Sequence, residues 1–155
     1  MEVGIPLFEK RLGSEQEMSL LVIDLDEFKS VNDHWGHSVG DQILLSVANA
    51  ICASVRETDD VVRTGGDEFC VFLPSTLPSM LDEIAERVRA NSVQTVQNIP
   101  FEKTVTISIG VATSQKGDKT FSDVYRRADQ HLYAAKNAGR NLVVSEMLAA
   151  PASNF

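Results

Sequence analysis

Hydrophobic positions change their period several times along the chain, and each change marks an element. Ile5, Phe8 and Leu12 lie at helical spacing and predict a short opening helix over Ile5–Leu12. The apolar run from Leu20 to Leu25 predicts a buried strand whose C-terminal end carries Asp24 and Asp26. From Val39 onward, Ile43, Leu44, Val47, Ile51 and Val55 repeat with a 3.6 period, a helix reaching about Glu57. Two β-rich segments, Asp60–Thr64 and Phe69–Leu73, flank Gly65-Gly66-Asp67-Glu68, so a hairpin is expected with its glycines supplying positive φ at the tip. Leu77, Leu81, Ile84 and Val88 predict another helix, whereas Val105, Ile107, Ile109 and Val111 alternate as a strand. Thr120 and Asp123 form a capping pattern that opens a last helix stopping at Gly139. A final strand is expected within 141–145, and 149–155 reads as a frayed tail.

This order predicts a βααββαβα arrangement of the α+β class, with helices packed on one face of a central, mainly antiparallel sheet. The layout is ferredoxin-like, close to a polymerase palm. It brings the end of the first strand beside the Gly65-Gly66 hairpin.

Composition narrows the field. With 155 residues, 43% of them hydrophobic, one domain over 1–155 is expected, its core at about 20–146. A net charge of -8 argues against a nucleic acid polymer as partner. Cys52 and Cys70 show no metal-binding spacing; both are expected in the core, in a reducing, cytoplasmic setting. No apolar run approaches the roughly 18 residues of a membrane span, and the acidic N-terminus does not resemble a signal peptide, so no membrane contact is expected.

The chemistry concentrates in acids. Asp24, Asp26, Asp67 and Glu68 would meet at one sheet edge, where unpaired carboxylates repel and call for a cation. An all-oxygen donor set favours Mg²⁺ over zinc, and such ions serve phosphoryl transfer. A solvated acidic hairpin accounts for the same residues on composition alone. His34 and His37 have no third nitrogen or sulfur ligand nearby, so local hydrogen bonding is expected for them, and packing for Trp35.

Gly65-Gly66-Asp67-Glu68-Phe69 spells the signature of the GGDEF family of diguanylate cyclases. Upstream, Asp24-Leu25-Asp26-Glu27-Phe28-Lys29-Ser30-Val31-Asn32-Asp33, then Gly36-His37 and Gly40-Asp41, resembles the family's first block. Thr106 to Ala112 and Ala128 to Asn141 resemble its two later blocks. The resemblance implies condensation of two GTP into cyclic di-GMP and two pyrophosphates by a symmetric homodimer, stable or transient, with Mg²⁺, or Mn²⁺ in its place. It further implies Asp24, Asp67, Glu68 and the Leu25 carbonyl as metal ligands, with Asp67, Glu68 and Lys29 catalytic. Substrate contacts are implied at Phe28, Lys29, Asn32, Asp41, Lys136 and Arg140. In that scheme Asn32 and Asp41 read guanine, whose N1 and N2 donors adenine lacks. Lys136 and Arg140, four apart and so expected on one helix face, would hold phosphates.

Arg56-Glu57-Thr58-Asp59 ends six residues before Gly65, where the family often carries an R-x-x-D product-inhibition motif, and Arg87 resembles a second arginine of that site. The bland alternatives are a turn residue for Asn32, a solvated helix end for Lys136 and Arg140, an i,i+3 surface ion pair for Arg56 and Asp59, and an exposed helix charge for Arg87. Met1–Leu12 matches the family's usual opening only partly, which reads as a trimmed or atypical N-terminal helix, and Thr64 stands where an aromatic commonly precedes the glycines. A sensory or regulatory domain is expected in the parent protein. A receptor that binds GTP or cyclic di-GMP without turnover is the rival reading; retention of Asp24, Asp67 and Glu68 speaks for the enzyme.

Overall fold

The computed structural model describes residues 4–12 and 17–146. Its elements run α1 (Gly4–Leu12), β1 (Met18–Leu25), α2 (Phe28–Trp35), α3 (His37–Ser54), β2 (Asp60–Arg63), β3 (Glu68–Pro74), α4 (Pro78–Val96), β4 (Ile107–Thr113), α5 (Phe121–Asn137) and β5 (Val143–Val144). The five strands form one sheet in the order β2-β3-β1-β4-β5. Every pairing is antiparallel except that of β4 with β5. The expected α+β class is observed, with β1 at the centre of the sheet, and the tail at 149–155 lies outside the described residues.

The expectation of helices on one face is corrected. Alternate residues of a strand point to opposite faces, and β1 is apolar on both. Leu21, Ile23 and Leu25 pack with Val71, Ile109, Ile43 and Ile84 in a core beneath α3 and α4. Leu20 and Val22 pack with Cys70, Phe72, Val124 and Leu132 beneath α5, where α1 adds Phe8. A strand apolar on both faces needs cover on both, as each buried aliphatic side chain contributes roughly 1.5–3 kcal/mol. Helix α5 docks closely because Gly110 of β4 has no side chain: a Cβ there would lie 2.0 Å from the Ala128 carbonyl oxygen.

Element ends follow local chemistry. Thr120 and Asp123 form the predicted capping box of α5. Trp35 packs on the α3–α4 core and meets Phe101 edge-on at 5.8 Å. His34 Nδ1 hydrogen-bonds the Ser30 carbonyl at 2.8 Å, the local contact expected of it. Cys70 is buried as expected, and burial pushes its thiol up to about 12. Cys52 is instead exposed, since it falls on the outer side of α3, away from the buried stripe of Ile43, Val47 and Ile51. Among the described residues no helix is long and apolar enough to cross a membrane.

Candidate functional site

Strand parity and register assemble the acids. Asp24 shares its face of β1 with Leu20 and Val22, and Glu68 shares its face of β3 with Cys70 and Phe72, so both point toward α5. The β1–β3 register sets them directly opposite one another. Asp67 joins through the backbone, where the Leu25 N–H donates to the Asp67 carbonyl at 3.1 Å. Like charges opposed across strands destabilise, and a cation relieves them here: Lys136 Nζ lies 2.7 Å from Asp24 Oδ1. Burial is the main cause holding the Asp24 carboxyl above its ordinary value; Lys136 opposes the shift, and the charges of Asp67 and Glu68 add to it.

Two further contacts hold Glu68. Its Oε1 accepts hydrogen bonds from the Thr64 hydroxyl at 2.6 Å and the Tyr125 phenol at 3.1 Å. Burial, followed by the Glu68 charge, pushes the phenol above its usual range, so it stays a donor. Neither contact has a local sequence signal: Thr64 stands where the family commonly carries an aromatic, and Tyr125 is 57 positions from its partner.

Asp26 leaves the acid cluster. Its carboxylate accepts from Thr106 Oγ1 at 2.6 Å, Ser108 Oγ at 2.7 Å and the Asn141 N–H at 3.1 Å. Buried and saturated with donors, it ties the end of β1 to β4 and to the turn after α5. An acid at a strand end looks the same in sequence whether it faces solvent or a ring of hydroxyls.

The hairpin forms, with a different mechanism at its tip. Neither Gly65 nor Gly66 is among the described glycines with positive φ. The Arg63 side chain instead clamps the turn, donating from Nε to the Gly65 carbonyl at 3.1 Å and from Nη2 to the Gly66 carbonyl at 2.7 Å. A Cβ at Gly66 would meet nothing within 4 Å, and one at Gly65 only Glu68 Cβ at 3.5 Å. Internal packing therefore does not require either glycine.

Phe28 and Lys29 open α2, Phe28 buried and Lys29 exposed. Asn32 lies over Gly40, where a Cβ would fall 1.9 Å from Asn32 Oδ1, and that buried oxygen has no hydrogen-bond partner. Asp41 is exposed on α3 and lines a groove with Leu44, Leu45, Val61, Arg63 and Phe69. The groove's volume of about 440 Å³ falls within the ~300–1,000 Å³ usual for small-molecule clefts.

Lys136 and Arg140 do not share a helix face. Helix α5 ends at Asn137, and Arg140 sits beyond it at φ 65°, its N–H closing onto the Ala135 carbonyl at 3.0 Å. Such a closing bond satisfies a terminal carbonyl and reverses the chain. Arg140 thereby comes within electrostatic reach of Glu27 at the start of α2, while Lys136 meets Asp24.

A second cleft, between the turn after α3 and helix α4, is lined by Arg56, Asp59, Met80, Glu83, Ile84 and Arg87. Asp59 Oδ2 accepts from the Arg56 backbone N–H at 2.8 Å, so this pair forms a turn and not a surface ion pair. Arg87 is not a free helix charge either; Nε and Nη2 donate to the Ser54 carbonyl at 3.1 and 2.9 Å, at the C-terminal end of α3.

Oxygen-only donors, two opposed carboxylates and a third nearby suit a hard divalent cation. Among the described residues, no group of three or more His, Cys, Asp or Glu is placed to hold a metal ion, and one or two carboxylates with substrate phosphates are the usual ligands of Mg²⁺.

Comparison with known proteins gives one answer. The model of the family described as diguanylate cyclase, GGDEF domain, matches residues 7–142. A probable diguanylate cyclase, DgcT of Escherichia coli, is 41% identical over 81% of this chain and 28% of its own length. The response regulator PleD of Caulobacter vibrioides is 43% identical over 83% of the chain and 29% of its own length. The chain thus spans less than a third of these curated relatives. Among solved structures, the GGDEF domain of DgcB from Caulobacter crescentus, in complex with c-di-GMP, superposes with a TM-score of 0.81 at 29% identity, covering 90% of this chain and 84% of that one. The active GGEEF domain of a diguanylate cyclase from Vibrio cholerae gives a TM-score of 0.80 at 31% identity, over 91% and 90%. With the signature, sheet order and acid constellation all in place, this chain belongs to the GGDEF domain family.

Proposed function

We propose that this domain condenses two GTP molecules into cyclic di-GMP, releasing two pyrophosphates, when two copies face each other. The observation that carries the reading is the apposition of Asp24 and Glu68 across β1 and β3, with Asp67 beside them and Lys136 on Asp24. In this reading Asp24, Asp67, Glu68 and the Leu25 carbonyl hold Mg²⁺ or Mn²⁺, which would neutralise triphosphate charge and orient the reacting oxygens.

The chain's own groups do the rest. Bare backbone at Gly65 and Gly66 admits the nucleotide close to the hairpin, and that explains two glycines the fold itself does not need. Backbone N–H groups at the start of α2, with Lys29, face the phosphates. Lys136 exchanges its contact with Asp24 for phosphate oxygens, and Arg140 adds a second cation. Asn32, whose Oδ1 is buried without a partner, and Asp41 accept from the guanine edge. A base that leaves such groups unpaired is rejected.

In each half-reaction a ribose 3′-oxygen attacks the α-phosphorus of the facing GTP and gives up its proton. The bond from that phosphorus to the β-phosphate bridging oxygen breaks, and pyrophosphate departs. Each copy holds one GTP, so turnover needs two copies and should rise steeply with concentration.

Cyclic di-GMP returning to the cleft of Arg56, Asp59 and Arg87 would inhibit, because guanidinium groups suit its phosphates and guanine edges. Arg56→Ala should then raise the product concentration needed for inhibition.

The deciding experiment incubates the purified chain at several concentrations with GTP and Mg²⁺, beside Asp67→Ala, and resolves nucleotides by chromatography. Cyclic di-GMP from the unmodified chain alone is the expected result. Retained nucleotide binding without product would point to a receptor.

A further inference from the structure

Glu68 is held by two hydroxyl donors, whereas Asp24 meets the Lys136 ammonium. Both of its hydroxyl contacts fall on the same oxygen, Oε1, from Thr64 at 2.6 Å and Tyr125 at 3.1 Å. Among the described residues Oε2 makes no hydrogen bond. The Thr64 hydroxyl also accepts from the Cys70 thiol at 4.0 Å. Tyr125 reaches across from α5 with its ring packed on Phe121 at 5.4 Å, so the phenol is anchored by the apolar core as well as by its acceptor. A carboxylate fixed by two donors on one oxygen has lost its rotational freedom, and only its other oxygen is open to a ligand.

We infer that Thr64 and Tyr125 are positioning residues, which pin Glu68 through Oε1 and so present Oε2 as a single, oriented ligand to the divalent cation. The inference rests on the cyclase reading only for the cation's identity; its content concerns how the carboxylate is held. Partners of this kind around metal-binding carboxylates typically change affinity by about 10–100-fold when removed. Thr64 then has a stated use at a position where the family commonly carries an aromatic. In this chain one donor comes from the hairpin and the other from α5.

The test uses Tyr125→Phe, which keeps the ring on Phe121, Thr64→Val, the double variant, and Thr64→Ser, which restores a hydroxyl. Circular dichroism and thermal melting select the variants that fold. Mn²⁺ binding is read by electron paramagnetic resonance with an α,β-non-cleavable GTP analogue present, and KM for GTP is measured at saturating Mn²⁺. Each single variant should weaken Mn²⁺ by about 10-fold and the double by about 100-fold. Thr64→Ser should bind as the unmodified chain does, and KM for GTP should hold within about twofold. Mn²⁺ affinity within about twofold of the unmodified chain in folded Tyr125→Phe and Thr64→Val would overturn the inference. An unmodified chain that binds Mn²⁺ but makes no cyclic di-GMP would defeat the cyclase reading, while the affinity ratios still judge this one. An unmodified chain that binds no Mn²⁺ would defeat both.

Discussion

The two faces of the central sheet are built to different rules. Beneath α3 and α4, the side chains of β1, β3 and β4 from Leu21 to Leu25, Phe69 to Leu73 and Ile107 to Val111 are apolar, and the polar pair Ser19 and Thr113 at the far end lie 3.2 Å apart, hydroxyl to hydroxyl. Beneath α5 the same three strands are apolar only part of the way. Leu20 and Val22 give way to Asp24, Phe72 and Cys70 to Glu68, and Ala112 and Gly110 to Ser108. The polar residues lie level because the register sets Asp24 opposite both Glu68 and Ser108. One face maximises burial; the other gives up apolar area at one end for a site. Stability and chemistry are therefore separable by mutation, although they share the same strands.

The strongest break in that comparison is Asp24→Asn. Product formation should fall by about 10²–10³-fold, the usual loss when one charged contact of a transition state is removed. Thermal stability should be kept, since the carboxyl's raised pKa means that its ionisation opposes folding. A large drop in melting temperature would place Asp24 in the scaffold instead. On the other face, Ile23→Ala should cost about 2–5 kcal/mol in denaturant unfolding, while turnover per folded molecule stays near normal.

A smaller effect sharpens the distinction within α5 itself. Arg127 forms hydrogen bonds to both carboxylate oxygens of Asp118, at 2.8 and 2.7 Å, a polar cluster with no part in the site. The Arg127 hydrogen bond is the main cause holding the Asp118 carboxyl below its ordinary value. The stabilisation it provides is thus present above the unfolded value of 3.8 and lost as pH falls through the folded one. Arg127→Met should cost about 1–2 kcal/mol at pH 7, with the deficit shrinking as pH drops below the unfolded value. A pH-independent deficit would assign the effect to the Thr113 and Asp123 carbonyls that Arg127 also binds, or to packing. Smallest of all in stability, Asp41→Ser should leave unfolding unchanged within about 0.5 kcal/mol, as exposed substitutions do, and relax the preference for GTP over ATP.

Much of this was legible in the sequence because period and parity are local. The apolar run at Leu20–Ile23, the 3.6 repeat from Ile43 to Ile51 and the alternation from Val105 to Val111 each name their element without reference to another. Asp24, Asp67 and Glu68 could be grouped because a hairpin and a strand end are both short-range features. The unread parts depend on distant partners. Three donors, two on β4 or just before it and one beyond α5, decide the role of Asp26. A phenol on α5 completes the hold on Glu68. Arg140 was misplaced for a different reason: one turn past a helix end, i,i+4 spacing no longer means a shared face. The glycines of the hairpin were assigned a backbone role that Arg63 fills.

The opposition of Asp24 and Glu68 also makes the site a readout of strand registration. One extra residue inserted in β1 between Met18 and Asp24 would leave composition, charge and strand propensity almost untouched. If the hydrogen-bonding ladder near Met18 held its alignment, every later side chain would trade faces, and the Asp24 carboxylate would enter the layer of Ile109 and Val71. Burying that charge without a partner costs several kcal/mol, so the slipped pairing excludes itself. The chemistry at the strand end thus proofreads the sheet that carries it.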